Sequence, residues 1–225
     1  MTGSGPMNDL YDIQTIEVMK RVLKRDSNCV DVGCHKGDIL RAILNVAPDG
    51  THYAFEPIPI LFDALKVEFP SVHTLNIALS DVKGRASFQY VTSNPGYSGL
   101  KRRQYDREDE TVEEIFTQTA PLDSILPADF HVDFLKIDVE GGELQVLQGA
   151  VKTIVRCRPT IVFEHGLGAA DYYGVRPEFI YDVLSGDCGM SIFLMESWLF
   201  GGMALTRVEF VRQFKTGENY YFMAR

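Results

Sequence analysis

The segment NCVDVGCHKG (28–37) carries Asp31, Gly33 and Gly37. A carboxylate, Glu56, follows nineteen residues past Gly37, at the end of the next apolar run. Val30 and Val32 read as a buried strand, and Ile39, Leu40, Ile43 and Leu44 recur at helical spacing. A strand that breaks into a glycine-bearing turn and then a helix presents free backbone N–H groups to a ligand. An acid about 20 residues beyond such a turn is where nucleotide-binding folds hold ribose hydroxyls. The pair predicts an adenosine-containing cofactor, with Glu56 accepting both ribose hydroxyls.

A dinucleotide site asks for G-x-G-x-x-G, so that backbone can approach a pyrophosphate. Here the pattern is D-x-G-x-x-x-G, with Cys34, His35 and Lys36 between the glycines, and there is no phosphate-binding loop. Asp31 would repel a pyrophosphate but favour a cation. S-adenosylmethionine fits: it has an adenosine, a sulfonium and an ammonium, and no phosphate. An oxidoreductase using a nucleotide cofactor is therefore disfavoured. A non-catalytic module that binds the same cofactor stays open as an alternative.

The elements that must position these residues follow from periodicity. Leu10, Ile13, Ile16, Met19, Val22 and Leu23 predict an amphipathic leading helix over 9–24. Strands are predicted at 28–32, 51–55, 72–79, 130–137, 160–163, 190–195 and 220–223, with added strands near 84–91 and 111–119. Helices are predicted at 38–46, from Pro59, at 142–156, at 177–185 and at 206–214. Strands alternating with helices imply an α/β fold, a mostly parallel sheet covered on both faces. Its ligand belongs at the carboxyl ends of the strands, and Asp31, Glu56, Ala78, Asp138 and Glu164 all stand at or near such ends.

The chain has 225 residues, 45% of them hydrophobic, enough for one sizeable core. Residues 1–6 read as an expression scar, with Met7 as the native start and residues 7–225 as a single domain. Twenty-two basic residues against 31 acids give a net charge of −9, which argues against a nucleic-acid partner. The basic stretch Lys101–Arg103 is followed at once by Asp106, Glu108, Asp109 and Glu110, so it reads as a solvated loop. No run reaches the ~18 apolar residues of a membrane span. Cys29, Cys34, Cys157 and Cys188 form no C-x-x-C pair. They read as free thiols in a reducing compartment, the cytoplasm, rather than as zinc ligands.

The segments VDVGCHKGD (30–38), FEP (55–57), NIALSD (76–81), LDSIL (122–126), DFLKIDVEGGELQVLQGA (133–150) and RPTIVFEHG (158–166) together resemble the FkbM-type methyltransferases, in order and over residues 10–225. The resemblance implies a Rossmann-like class I methyltransferase fold with a mostly parallel seven-stranded sheet. It also implies S-adenosylmethionine as donor and O-methylation as the usual reaction. Cys34-His35 departs from the family, which more often has a small residue and Asn there. The resemblance places Gly33 and Gly37 under the methionine part of the cofactor and Asp31 near its amino group, with Cys34 and His35 in the same loop. Pro57 and Ile58 fall on the adenine side, and Asn76 and Ala78 flank the adenine.

Asp138 and Glu140 end the fourth main strand beside the expected sulfonium, where a carboxylate could orient an acceptor hydroxyl or act as base. His165, after the fifth strand, is the candidate substrate-side acid/base. Glu143 sits in a first helical turn, where the macrodipole favours an acid. Lys136 receives no role, and His52, His73 and His131 read as structural. A divalent metal bridging Asp138 and Glu164 is a minority alternative and is not predicted, since these acids are explained without one. The acceptor, a small molecule or a glycan, should meet residues 92–110, 164–173 and 198–202, with Tyr97, Tyr105, Tyr172, Tyr173 and Trp198 as stacking faces. No pattern encodes an oligomeric state.

Overall fold

A computed structural model describes residues 6–103, 105, 107 and 109–225. The expectation for residues 1–6 falls, except for Pro6, outside the described residues. The elements run α1 (Pro6–Val22), β1 (Cys29–Val32), α2 (Asp38–Val46), β2 (His52–Phe55), α3 (Pro59–Glu68), β3 (His73–Leu75), β4 (Ile77–Leu79), β5 (Gly84–Val91) and β6 (Val112–Ala120). There follow β7 (Phe134–Ile137), α4 (Glu143–Gln148), α5 (Val151–Cys157), β8 (Thr160–Glu164), α6 (Pro177–Tyr181), β9 (Ile192–Phe193), α7 (Met195–Leu199), α8 (Arg207–Thr216) and β10 (Tyr221–Ala224).

The main sheet has seven strands in the order β3-β2-β1-β7-β8-β10-β9. Strands β1, β2, β3, β7 and β8 are parallel, and β10 runs antiparallel to both β8 and β9. All four residues of β1 and of β7 are buried, as central parallel strands covered on both faces must be. Register sets the site. Val32 lies opposite both Phe55 and Ile137, and Ile137 opposite Phe163, so Gly33, Glu56, Asp138 and Glu164 leave the sheet side by side. Tyr221 is paired with Glu164 and joins the same rim from the antiparallel strand.

Alternation along the strands divides the core. Val30, Val32, Leu135, Ile137, Ile161 and Phe163 pack toward α4, α6 and α8. Cys29, Phe134, Val162 and Met223 pack toward α1, α2 and α7. Asp31, Lys136, Asp138, Glu164 and Tyr221 share the parity of this second group. Polar chemistry is therefore concentrated on the face that α1 covers.

Two expected elements divide and a third contracts. The run 72–79 is two strands: β3 stays in the main sheet, while β4 pairs with β6 in a separate three-stranded sheet of order β4-β6-β5. The expected helix 142–156 breaks at Gly149, where a Cβ would stand 2.2 Å from the carbonyl oxygen of Ser80. The Asp123 carboxylate then caps α5 by accepting from the N–H groups of Lys152 (2.9 Å) and Thr153 (2.8 Å). The expected strand 130–137 contracts to β7, its preceding residue Asp133 accepting from the Asn28 N–H instead. Helix α8 begins with a Thr206/Glu209 capping box. All four cysteines are buried and unpaired. Among the described residues, no helix is long and apolar enough to cross a membrane.

Candidate active site

The turn after β1 depends on Gly33 at φ +74°, where a Cβ would meet the Asp138 carbonyl oxygen at 1.9 Å. Only glycine lets β1 and β7 end this close together. Gly37, at φ +79°, opens α2, and its missing Cβ makes room for the Phe69 ring of the segment after α3. Gly37 therefore acts through helix packing and stands back from the cavity. Glu56, 3% exposed, ties the next loop to this turn. Its carboxylate accepts from the His35 N–H (2.8 Å) and the Ile58 N–H (2.9 Å). Burial pushes its pKa up to about 7, against those two hydrogen bonds. Asn76 sits behind, donating from its side chain to the Glu56 carbonyl (2.8 Å); it positions Glu56 rather than lining the cavity.

Beneath the turn lies a buried charge network that the sequence reading left out. Lys136 Nζ donates to the Gly33 carbonyl (2.8 Å) and stands 3.5 Å from both Asp31 Oδ1 and Asp138 Oδ2. Burial opposes its charge, but Asp138 and Asp31 outweigh it and raise the ammonium's pKa. Asp31 is completely buried, and burial pushes it up while Lys136 draws it back. It lies under the cavity wall, so it acts through Lys136. Burial also works against ionised Asp138, yet Lys136, the Tyr221 hydroxyl and Glu164 together hold it below its ordinary value. Glu164 is pushed well above the carboxylate range by burial and by the charges of Asp138 and Glu143. Both directions favour the charge on Asp138 and the proton on Glu164.

The turn after β7 is held by Glu143, whose carboxylate accepts from the N–H groups of Val139 (3.1 Å) and Gly141 (3.0 Å). This leaves Glu140 at φ +58° and Gly141 at φ +106°. The Glu140 carboxylate meets the Arg103 guanidinium in an ion pair whose side chains are 16% and 13% exposed. That guanidinium also lies 4.8 Å from the centre of the Tyr97 ring. The Lys101 N–H donates to the Tyr173 hydroxyl (3.0 Å), so the segment after β5 is strapped across the strand ends. Gln104, Asp106 and Glu108 of that segment are outside the described residues.

A cavity of about 460 Å³ runs between these groups, within the size range of small-molecule sites. One end is walled by Gly33, Cys34, His35, Glu56, Pro57, Ile58, Ile77, Ala78 and Phe88. The other is walled by residues 93–98 with Arg107, Glu140, Gly142 and Tyr173. Lys136, Asp138 and Tyr221 stand between the two, and Asn8, Asp12 and Thr15 of α1 close one side.

Of the sequence-predicted groups, Gly33, Cys34, His35, Glu56, Pro57, Ala78, Asp138 and Glu140 thus meet in one cavity. His165 does not join them. Side chains alternate along a strand, so with Glu164 turned to Asp138, His165 faces the opposite side. Its ring is fully buried, 4.6 Å from Phe214 and 6.0 Å from Phe210, both rings stacked on it. Neither ring nitrogen has a hydrogen-bond partner, and burial lowers its pKa to about 3. Trp198 lies in α7 against the Arg225 guanidinium, and of the five expected stacking rings Tyr97 and Tyr173 line the cavity while Tyr105, Tyr172 and Trp198 do not.

Asp138, Glu140 and Glu164 each bring an oxygen to within 4.8 Å of the others, a spacing a divalent cation could bridge. Asp138 also has Lys136 and Tyr221 as partners in the protein and Glu140 has Arg103, while Glu164 Oε2 is buried with no hydrogen-bond partner.

A family model described as the methyltransferase FkbM domain matches residues 31–191. A protein named methyltransferase sdnD, from Sordaria araneosa, is 29% identical over 152 residues, which cover 53% of this chain and 59% of that protein. The match therefore spans less than two thirds of that relative's length. The crystal structure of methyltransferase FkbM from Methylobacillus flagellatus KT aligns at a TM-score of 0.55 and 15% identity, over 90% of this chain and 44% of that one. That likeness establishes the class I methyltransferase fold.

Proposed function

From the premise that this chain belongs to the FkbM methyltransferase family, we propose that it transfers the methyl group of S-adenosylmethionine to a hydroxyl oxygen of a small molecule or sugar. One observation carries the reading. Buried Glu56, a carboxylate suited to two ribose hydroxyls, and Asp138, suited to a cation, face one cavity from the ends of β2 and β7, the two strands that flank β1.

The residues present fit the donor. Ile58, Ile77, Ala78 and Phe88 give an apolar slot for adenine on the far side of Glu56. The Gly33–Lys36 turn would carry the methionyl part. When bound, the cofactor supplies an electrophilic methyl on a sulfonium and leaves as a neutral thioether. Asp138, kept ionised by Lys136 and Tyr221, orients the acceptor hydroxyl and takes its proton as the oxygen gains the methyl. Glu140 and Arg103 close the acceptor end and exclude water. No step requires a metal.

The acceptor meets Tyr97 and Tyr173, ring faces suited to a sugar or other flat surface. A net charge of −9 disfavours a nucleic acid, and four unpaired buried thiols suit the reducing cytoplasm. Transfer from radiolabelled S-adenosylmethionine to a panel of sugar and small-molecule hydroxyls tests the reading. Asp138→Asn should bind S-adenosylhomocysteine, which lacks the sulfonium charge, within a few-fold of wild type and lose turnover. Donor binding without transfer to any acceptor would favour a non-catalytic binding module.

A further inference from the structure

Helix α1 precedes the matched family domain, which begins at Asp31, yet it covers the face that carries the charged rim. Its placement is fixed by Tyr11, which is 3% exposed. The Tyr11 ring stacks on Tyr221 at 5.0 Å and meets Tyr220 edge-on at 4.8 Å. Its hydroxyl donates to Asn219 (3.2 Å), and one turn on Thr15 donates to the Met195 sulfur (3.6 Å). Asp12 follows Tyr11 and lines the cavity. It shares the cavity wall with Gly33, His35, Lys36 and Asp38 of the turn that joins β1 to α2, and its carboxylate feels the charges of Lys136, Asp138, Asp38 and Asp9. Among the described residues no cation reaches it within ion-pair distance, since Lys136 is committed to Asp31, Asp138 and the Gly33 carbonyl.

We propose that Asp12 is a cofactor-binding residue that receives the α-ammonium of the donor's methionyl group. The proposal rests on the S-adenosylmethionine reading above. That cofactor has two cations a short alkyl chain apart. The sulfonium must stay beside Asp138, where the acceptor enters between Glu140 and Tyr173. The ammonium then falls toward the Gly33–Asp38 turn, and Asp12 is the α1 carboxylate that shares the cavity wall with that turn. A charge-assisted hydrogen bond there recognises an amino acid tail, which adenosine alone lacks.

Calorimetry on the full chain tests this with three probes: S-adenosylmethionine, S-adenosylhomocysteine and methylthioadenosine, which has no amino acid tail. Wild type should bind all three. Asp12→Asn should weaken the first two by about tenfold each and leave methylthioadenosine within about twofold. Unchanged binding of the first two would overturn the proposal. A loss confined to S-adenosylmethionine would put Asp12 at the sulfonium and overturn the ammonium assignment. An equal loss for methylthioadenosine would mean a collapsed cavity, and would overturn it as well. If wild type bound none of the probes, the donor reading itself would fail, before any substitution is compared.

Discussion

The Tyr221 hydroxyl donates a 2.5 Å hydrogen bond to Asp138 Oδ2, reaching across the strand that separates them. Register makes the contact: Tyr221 is paired with Glu164, and Glu164 leaves β8 beside Asp138. Three residues far apart in the chain thus form one row, with a carboxyl that favours its proton and a phenol both directed at one carboxylate.

Tyr221→Phe keeps the ring that stacks on Tyr11 and removes only the donor. Donor affinity should stay within about threefold, while kcat falls roughly 10- to 100-fold, the range for losing the orienting hydrogen bond to a charged group. The phenol helps hold the Asp138 pKa down, so its loss lets that pKa rise. The acid limb of the kcat–pH profile should move to higher pH. A profile identical to wild type would remove Tyr221 from the machinery.

Lys136→Met leaves Asp31 completely buried with no cation beside it. Losing one partner of a buried ion pair costs about 3–5 kcal/mol, to be read as a lower urea midpoint at pH 7. The deficit should shrink as pH falls, because Asp31, whose pKa burial already raises, then buries as the neutral acid. Adding Asp31→Asn should recover part of the loss. A double variant no more stable than Lys136→Met would mean that the two residues are not coupled.

The half of the site that was legible in the sequence is the half made of local patterns. The Asp31–Gly37 turn and Glu56 follow from strand, glycine and spacing alone, and the cavity brings Gly33 and Glu56 to adjacent strand ends. Lys136 was not legible. Alternation gave its face, but its partner Asp31 is set by β1 lying next to β7, a neighbourhood only the sheet order supplies. Tyr221 depended likewise on an antiparallel register. The run 72–79 read as one strand because its apolar pattern is continuous. Tertiary pairing divides it at Asn76, whose amide serves the Glu56 carbonyl instead of a ladder.

Glu56 gives the donor affinity a pH dependence of defined sign. Its pKa is raised to about 7 in the free protein, so below that pH it is largely protonated. Ribose hydroxyls donate to the ionised form, so binding below pH 7 should release a proton. Donor affinity should rise with pH up to about 7 and level off above. The check is calorimetry at pH 6 in buffers of different ionisation enthalpy. Glu56→Gln should bind more weakly and show no proton release from this site; release undiminished in that variant would assign it to another group.

His165 makes the opposite kind of prediction, a strand-end histidine with no part in turnover. Its two ring nitrogens are buried without partners between aromatic rings, and each unmade hydrogen bond costs about 1–3 kcal/mol. His165→Phe keeps a flat ring against Phe210 and Phe214 and removes both polar atoms. It should leave kcat within about twofold of wild type and raise stability at pH 7 by about 1 kcal/mol, part of the gain offset by the slightly larger ring. The pH dependence has a definite sign. The folded pKa of about 3 lies below the unfolded value, so stability present at neutral pH is lost as pH falls below the unfolded value. The Phe variant lacks that loss, and its advantage should widen toward acid by up to about 1.4 kcal/mol per pH unit. Urea unfolding of both proteins at pH 7 and pH 5 reads the effect. A tenfold fall in kcat with stability intact would return His165 to the catalytic residues.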